Sequence, residues 1–424
     1  MIELQNIATE LFESIRAATA DGPGVTRESF GPGEETALQI LEQHAQALGL
    51  ACKRDPLQNL WIRRKDETDA EEPCVIIGSH ADSVPVGGNF DGLAGIVSGI
   101  LILHELQRTQ TRTERPVRVL AMRGEESAWY GKAYIGSLAL LGKLDARILQ
   151  SKRRDGSRTL GQAMAQTGAD IRLIENGQAL LQPSTIAAYL ELHIEQGPVM
   201  VAREWPVAAV TGIRGNIRHQ RIRCIGEAGH SGAVPRWLRK DAMLAVAELL
   251  SRLDERWRVL LQMGMDLVMT AGICQTDTKT HAVSVIPGEV SFSLEVRSQS
   301  NSTLTQFHAL IREECDAIER SRGVRFEFDA PIETDPAEMS PDWISQLSDA
   351  AEKLNIKLET LPSGAGHDAA VFANAGVPSA MVFIRNEHGS HNPHEAMDMQ
   401  DFLLGTRLLM ETVKSFQSTQ LEIA

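Results

Sequence analysis

Between residues 73 and 122 the chain passes through two short, strongly apolar stretches separated by a longer apolar segment, and this pattern constrains the fold more than any other. Pro73-Cys74-Val75-Ile76-Ile77-Gly78 and Pro116 to Met122 are too short for typical helices and rich in Val, Ile and Leu, so they read as strands buried on both faces. Gly92 to Leu106, between them, reads as an apolar helix. Strand, helix, strand is a βαβ unit, and sheets built from such units collect ligands at the carboxyl ends of their strands. Polar residues fall there. Ser79-His80-Ala81-Asp82 ends the first strand, and Glu125-Glu126 follows the second. Further on, Ile186 to Leu192 is another apolar strand, and it ends in His193.

The rest of the chain supplies the surroundings. Asn6 to Ala20 and Glu34 to Leu48 have helical spacing, and Leu60-Trp61-Ile62 reads as a strand. From about Gly215 to Arg322 the pattern changes. Arg218 to Ile225 and Val290 to Val296 alternate, Met265 to Cys274 is strand-like, and Asp241 to Leu253 and Thr303 to Arg320 are helical. About four half-exposed strands and two helices make a small α+β layer. The sheet-type pattern then resumes with the helix Trp343 to Leu354 and the apolar strand Ser379 to Ile384, which marks the layer as an insertion. A length of 424 residues suits two domains.

Charge and cysteines exclude several classes. The formal net charge is -14, and basic clusters such as Lys152-Arg153-Arg154 are short, so no nucleic-acid partner is expected. No stretch approaches the ~20 apolar residues of a membrane span. Met1 is followed by no basic, apolar and cleavage-site pattern, so a cytoplasmic location is expected. The five cysteines lack any Cys-x-x-Cys pair, which leaves histidine and carboxylate as the metal donors.

Zinc and neighbouring divalent metals bind such donors, and a catalytic pair of ions needs about three ligands each with one shared. Asp91 follows His80 by eleven residues in Gly87-Gly88-Asn89-Phe90-Asp91-Gly92, where the glycines let the chain fold back beside the histidine. It is placed to bridge. Asp82 would accept the other imidazole hydrogen and fix the tautomer. Glu125 and Glu126 would repel each other at a buried strand end unless cations compensate. Successive side chains diverge in an extended segment, so one can bind metal while the other takes a proton from water.

Seven ordered motifs carry a resemblance that covers essentially the whole chain: GSHADSVPVGGNFDG (78–92), RGEES (123–127), ELHIEQGPV (191–199), GEAGHSGAVPRWLRKDA (226–242), VIPGEVSFSLEVR (285–297), SGAGHDA (363–369) and GSHNPHE (389–395). The chain resembles the hydantoinase/carbamoylase amidases. These include N-carbamoyl-L-amino-acid hydrolases, β-ureidopropionase and allantoate amidohydrolase, within the aminoacylase and carboxypeptidase superfamily. The resemblance implies an α/β fold, with a catalytic domain (1–214 and 329–424) whose central mixed sheet is flanked by helices. It also implies an inserted α+β dimerisation or lid domain (215–328) with a four-stranded antiparallel sheet and two helices.

For the site, the resemblance implies two divalent ions per subunit, zinc or else manganese, cobalt or nickel. His80, Asp91 and His193 would hold one, and Asp91, Glu126 and His391 the other. Glu125 would be the general base and His230 would stabilise the oxyanion. Gln196, His230, Arg297 and the turn with Gly364 and Gly366 would contact a small ureido or acyl amino acid. The subunits would pair through the inserted domain. Where many relatives carry Asn before the VIPG run this chain has Ser284, and His281 stands nearby as a replacement, which leaves the substrate open. An N-acyl-amino-acid amidohydrolase or dipeptidase with the same centre is the alternative reaction. A metal-free binding protein is the remote one, and its sign would be a lost ligand, whereas all five positions are filled.

Overall fold

In the computed structural model, which describes residues 2–67 and 72–416, the two apolar stretches are neighbouring strands. Cys74–His80 runs parallel to Val117–Met122, with His80 opposite Met122. On its other side Cys74–His80 pairs in parallel with Ile186–Ile194, which pairs in parallel with Ser379–Ile384. Antiparallel strands extend both edges of this four-stranded centre: Leu60–Arg63 and Ala51–Arg54 on one, Val207–Ile213 on the other. The sheet is mixed, with nine strands among the described residues. Because the four central strands point one way, His80, the residues after Met122, His193 and the residues after Ile384 emerge along a single edge.

Burial holds this arrangement. Every residue of Cys74–His80 is buried, and so are twelve of the sixteen residues of the connecting helix Leu93–Arg108. Ile77, Ile96, Leu101 and Val119 belong to one core with Ala350 and Leu408, which the helices Pro341–Lys353 and Met399–Ser415 contribute. Each such side chain stabilises by ~1.5–3 kcal/mol through area removed from water. Phe12 packs edge-on against both Phe90 and Phe402, which joins the N-terminal helix Ile2–Ala18 to the loop before Asp91.

A second unit spans Gly212–Ala337, and the first comprises the described residues before and after it. The unit begins three residues before Gly215 and continues nine past Phe328. It is built on the pair Gly215–Ile225 and Glu289–Ser298. Where four strands are expected there are six, because both edges are split. Val268–Thr270 and Cys274–Thr276 share one edge, and Arg325–Phe328 and Ile332–Thr334 share the other. The second split lies beside a bulge. The register slips between Phe292 and Leu294, so Gln220 and Arg221 lose their ladder partners, and both their N–H groups donate to Asp329 Oδ2 at 2.9 and 3.0 Å. Asp329 interrupts the edge strand to do this, and Ile332–Thr334 then rejoins the sheet, which carries the unit to Ala337.

Two helices cover one face. Ala242–Gln262 is capped by Asp241 and Asn301–Arg322 by Ser300, each accepting an N–H of the first turn. Leu249, Leu253, Phe307 and Ile311 pack onto Ile222, Cys224, Phe292 and Leu294. The opposite face carries cross-strand ion pairs, Arg218 with Glu295 and Arg223 with Glu289. All five cysteines are free thiols. Among the described residues no helix is long and apolar enough to cross a membrane.

Candidate metal centre

Asp91 sits between three imidazoles. Its Oδ1 lies 3.3 Å from His80 Nε2 and 3.1 Å from His193 Nε2, and its Oδ2 lies 3.7 Å from His391 Nε2. His391 Nε2 is also 3.3 Å from Glu126 Oε1. Two groups of three follow, His80–Asp91–His193 and Asp91–Glu126–His391, each with ligand atoms within 4.8 Å of one another. Strand ends place His80 and His193. Gly92 turns the chain at φ 69°, where a Cβ would stand 2.5 Å from the His80 ring. His391 itself has φ 61°, a conformation that costs ~1–3 kcal/mol in a residue other than glycine and persists only where its surroundings impose it.

The tautomers test whether a cation fits. His80 Nδ1 lies 3.1 Å from the Asp82 carbonyl and His193 Nδ1 lies 2.9 Å from the Ile194 carbonyl. A carbonyl only accepts, so Nδ1 carries the hydrogen in both rings and the Nε2 lone pairs face Asp91. Lone pairs aimed at a carboxylate repel unless a cation or extra protons lie between them. Without a cation, protons take that place. Burial works against charge on His80, yet Asp82 and Asp91 hold its pKa well above 6.5. His391 is pushed up to about 9 by its hydrogen bond to Glu126. Burial, with Glu126 adding repulsion, pushes Glu125 well above the usual carboxylate range even though His80 opposes it. Two imidazoles and a carboxylate in the first group and one imidazole and two carboxylates in the second, with Asp91 common to both, suit divalent metals of the zinc series.

Glu125 and Glu126 diverge as an extended segment requires. Glu126 turns to His391, whereas Glu125 Oε2 stands 4.0 Å from His80 Nε2. Asp82 organises them. It lies 3.4 Å from His80 Nδ1, but its principal bonds are to backbone. Oδ1 accepts the Glu125 N–H at 3.0 Å, and Oδ2 accepts the Glu126 N–H at 3.1 Å and the Ser29 hydroxyl at 2.5 Å.

The sequence matches the description of peptidase family M20/M25/M40 over residues 76–415. The chain belongs to this family. It is 33% identical to the N-carbamoyl-L-amino acid amidohydrolase of Geobacillus stearothermophilus, over 97% of this chain and 98% of that one. It is 28% identical to the allantoate amidohydrolase of Escherichia coli K12, over 91% of each. A hydantoinase/carbamoylase family amidase from Burkholderia ambifaria superposes with a TM-score of 0.84 at 27% identity, covering 98% of this chain and 99% of that one. The protein is therefore an amidohydrolase of the hydantoinase/carbamoylase kind.

The remaining expected residues of this amidohydrolase divide between its units. Gln196 touches the centre: its Nε2 donates to Asp91 Oδ2 at 2.7 Å and lies 3.4 Å from His391 Nε2, while its Oε1 is buried without a hydrogen-bond partner. Gly364 and Gly366 lie in the turn before His367, and the Tyr134 hydroxyl occupies the space beside Gly366. The His367 ring packs edge-on against His193, with centroids 4.5 Å apart. His230, Ser284 and Arg297 lie in the second unit. His230 pairs with Val285 in a short ladder, next to the bond from the Ser231 N–H to the Ser284 carbonyl. Arg297 donates to Glu295 at 3.0 Å, and exposed His281 meets the Thr276 hydroxyl at 2.9 Å.

Several residues around the centre lie outside those that the sequence singles out. Arg27, fully buried, donates to the Ala81 carbonyl at 2.8 Å, to Asn89 Oδ1 at 3.2 Å and to the Asp91 carbonyl at 3.4 Å. Glu191 accepts from the Ser79 hydroxyl at 2.8 Å and the Ala369 N–H at 3.0 Å. Ser390 and Glu395 bond the Asp91 loop. For Glu191, Ser390 and Glu395 the available signal was their place inside ELHIEQGPV and GSHNPHE.

Proposed function

We propose that the enzyme hydrolyses the ureido C–N bond of an N-carbamoyl-L-amino acid or a related ureido acid at a centre of two divalent ions. His80, Asp91 and His193 would hold one ion, and Asp91, Glu126 and His391 the other, with zinc, manganese, cobalt or nickel as candidates. The observation that carries this reading is the convergence of imidazole Nε2 atoms on both oxygens of Asp91. Bound divalent cations supply positive charge that acidifies water and polarises the substrate carbonyl.

The chain's own residues then move protons and hold the substrate. Glu125, beside His80 but spared from the two ligand groups, accepts a proton from water as its oxygen attacks the carbonyl carbon. It returns that proton to the departing nitrogen. Breaking the C–N bond of an N-carbamoyl amino acid releases the amino acid and carbamic acid, which falls apart to ammonia and carbon dioxide. Gln196 Oε1, an unpartnered buried acceptor, suits a ureido N–H of the substrate. By the resemblance, His230 would meet the developing oxyanion, Arg297 would pair with the substrate carboxylate, Gly364 and Gly366 would supply backbone contacts, and Ser284 would stand at the position of the family Asn.

We further propose that the inserted unit pairs two subunits. Met243, Leu244, Val259 and Leu261 are exposed on its helix Ala242–Gln262, and light scattering of the purified protein tests it. For the reaction, the test is a screen of N-carbamoyl-L-amino acids, allantoate, N-acyl amino acids and dipeptides with added metal. Turnover of ureido acids is expected. Turnover confined to acyl amino acids or dipeptides would favour the aminoacylase or dipeptidase reading, and a purified protein that takes up no metal would favour a binding protein.

A further inference from the structure

Glu395 lies four residues beyond His391, and its carboxylate reaches back to the loop that carries Asp91. Oε2 accepts the Phe90 N–H at 3.1 Å and the Asp91 N–H at 3.4 Å. Oε1 lies 2.8 Å from Ser390 Oγ. Ser390 Oγ accepts the His391 N–H at 2.6 Å and also contacts Asp91 Oδ2. The one hydroxyl hydrogen of Ser390 serves either Asp91 Oδ2 or Glu395 Oε1, and these contacts close a ring through the Asp91 backbone, the Asp91 side chain, Ser390 and Glu395. The space is reserved for it, since a Cβ on Gly88 would meet the Glu395 carboxyl carbon at 2.0 Å. The turn this ring holds is strained at its two histidines, with φ of 67° at His388 and 61° at His391.

We propose that Glu395 is a positioning residue that locks the Asp91 loop to the His391 turn and so sets the separation of two ligands of the second ion. This rests on the metal-centre reading above. A carboxylate that only satisfied loop N–H groups would have no need to reach Ser390, whose hydroxyl touches the shared ligand Asp91. What the role requires is length and hydrogen-bond pattern. Gln at 395 keeps the length and can still bridge the same groups, because its carbonyl accepts the two N–H groups and its amide can donate to Ser390 Oγ while the Ser390 hydroxyl donates to Asp91. Asp at 395 keeps the charge but is one methylene short of closing the ring.

The test is calorimetric titration of metal-free, full-length protein with Mn²⁺ alone, for the unaltered enzyme, E395Q and E395D, together with kcat at increasing Mn²⁺. We expect E395D to bind the weaker of two Mn²⁺ ions ~10–100-fold less tightly and to regain kcat as Mn²⁺ is raised, which a general loss of structure would not allow. E395Q is expected to bind within about threefold of the unaltered enzyme. Equal binding by E395D and the unaltered enzyme would overturn the proposal, as would E395Q being impaired more than E395D. If the unaltered enzyme binds no Mn²⁺, the metal-centre reading fails first and takes this inference with it.

Discussion

Replacing Asp82 with Asn changes one atom, and the structure says what it should cost. The carboxylate is fully buried and accepts three hydrogens, from the Glu125 and Glu126 N–H groups and the Ser29 hydroxyl, with His80 Nδ1 3.4 Å from Oδ1. Asn must present its NH₂ to one side. On the Oδ1 side it faces the Glu125 N–H and His80, and on the Oδ2 side it faces the Glu126 N–H and Ser29. The Ser29 hydroxyl can rotate to accept, but a backbone N–H cannot, so one buried donor is left unpaired at ~1–3 kcal/mol. The surviving bonds lose charge assistance, worth roughly another 1–2 kcal/mol. A loss of about 2–5 kcal/mol should lower the melting temperature by about 3–8 °C. Metal affinity should fall ~10–100-fold because His80 and Glu126 are no longer held. The assays are thermal unfolding with and without metal and calorimetric metal titration, with S29A, which removes one bond but leaves both N–H groups paired, as a control losing less. D82N melting within a degree of the unaltered enzyme and binding metal equally would refute the argument.

Chelation should abolish turnover and lower the melting temperature. Binding at a hundredfold excess over Kd stabilises by ~2.7 kcal/mol, and adding back one divalent metal at a time should restore both. In the second unit His219 lies 2.9 Å from both Asp329 and His308. Burial, with His219 and Arg312 adding repulsion, holds His308 below 6.5. A histidine depressed on folding contributes stability that is present above ~6.5 and lost as pH falls through its folded pKa. Urea unfolding at pH 8 to 5 should therefore show falling stability. H308Q, which can still donate to His219, should flatten that fall, and an unchanged slope would exclude His308 as its source.

The sequence is most legible where one strand end delivers one residue. His80, Glu125, Glu126 and His193 follow apolar runs, so periodicity alone puts them on one edge. Residues that act across the chain are the illegible ones. Arg27 bonds partners 54 to 64 positions away, a pairing no local spacing encodes, and it stands in a loop without period. Asp82 is legible as the partner of His80, but its grip on the Glu125 and Glu126 N–H groups depends on the parallel pairing of two strands. The strand Val207–Ile213 escapes because alanines and a glycine dilute its strand preference. In the insert, alternation forecasts the central pair, whereas the break between Arg325–Phe328 and Ile332–Thr334 lies beside a bulge that only the register reveals.

The central claim is that five ligands hold metal while Glu125 alone moves the proton. E125Q separates the two roles, since Gln keeps the shape but cannot take a proton. Elemental analysis and turnover of an N-carbamoyl-L-amino acid, measured on the same preparation, should show metal content equal to the unaltered enzyme and kcat reduced by ~10²–10⁴. Undiminished kcat, or a loss of activity that merely follows a loss of metal, would contradict the account.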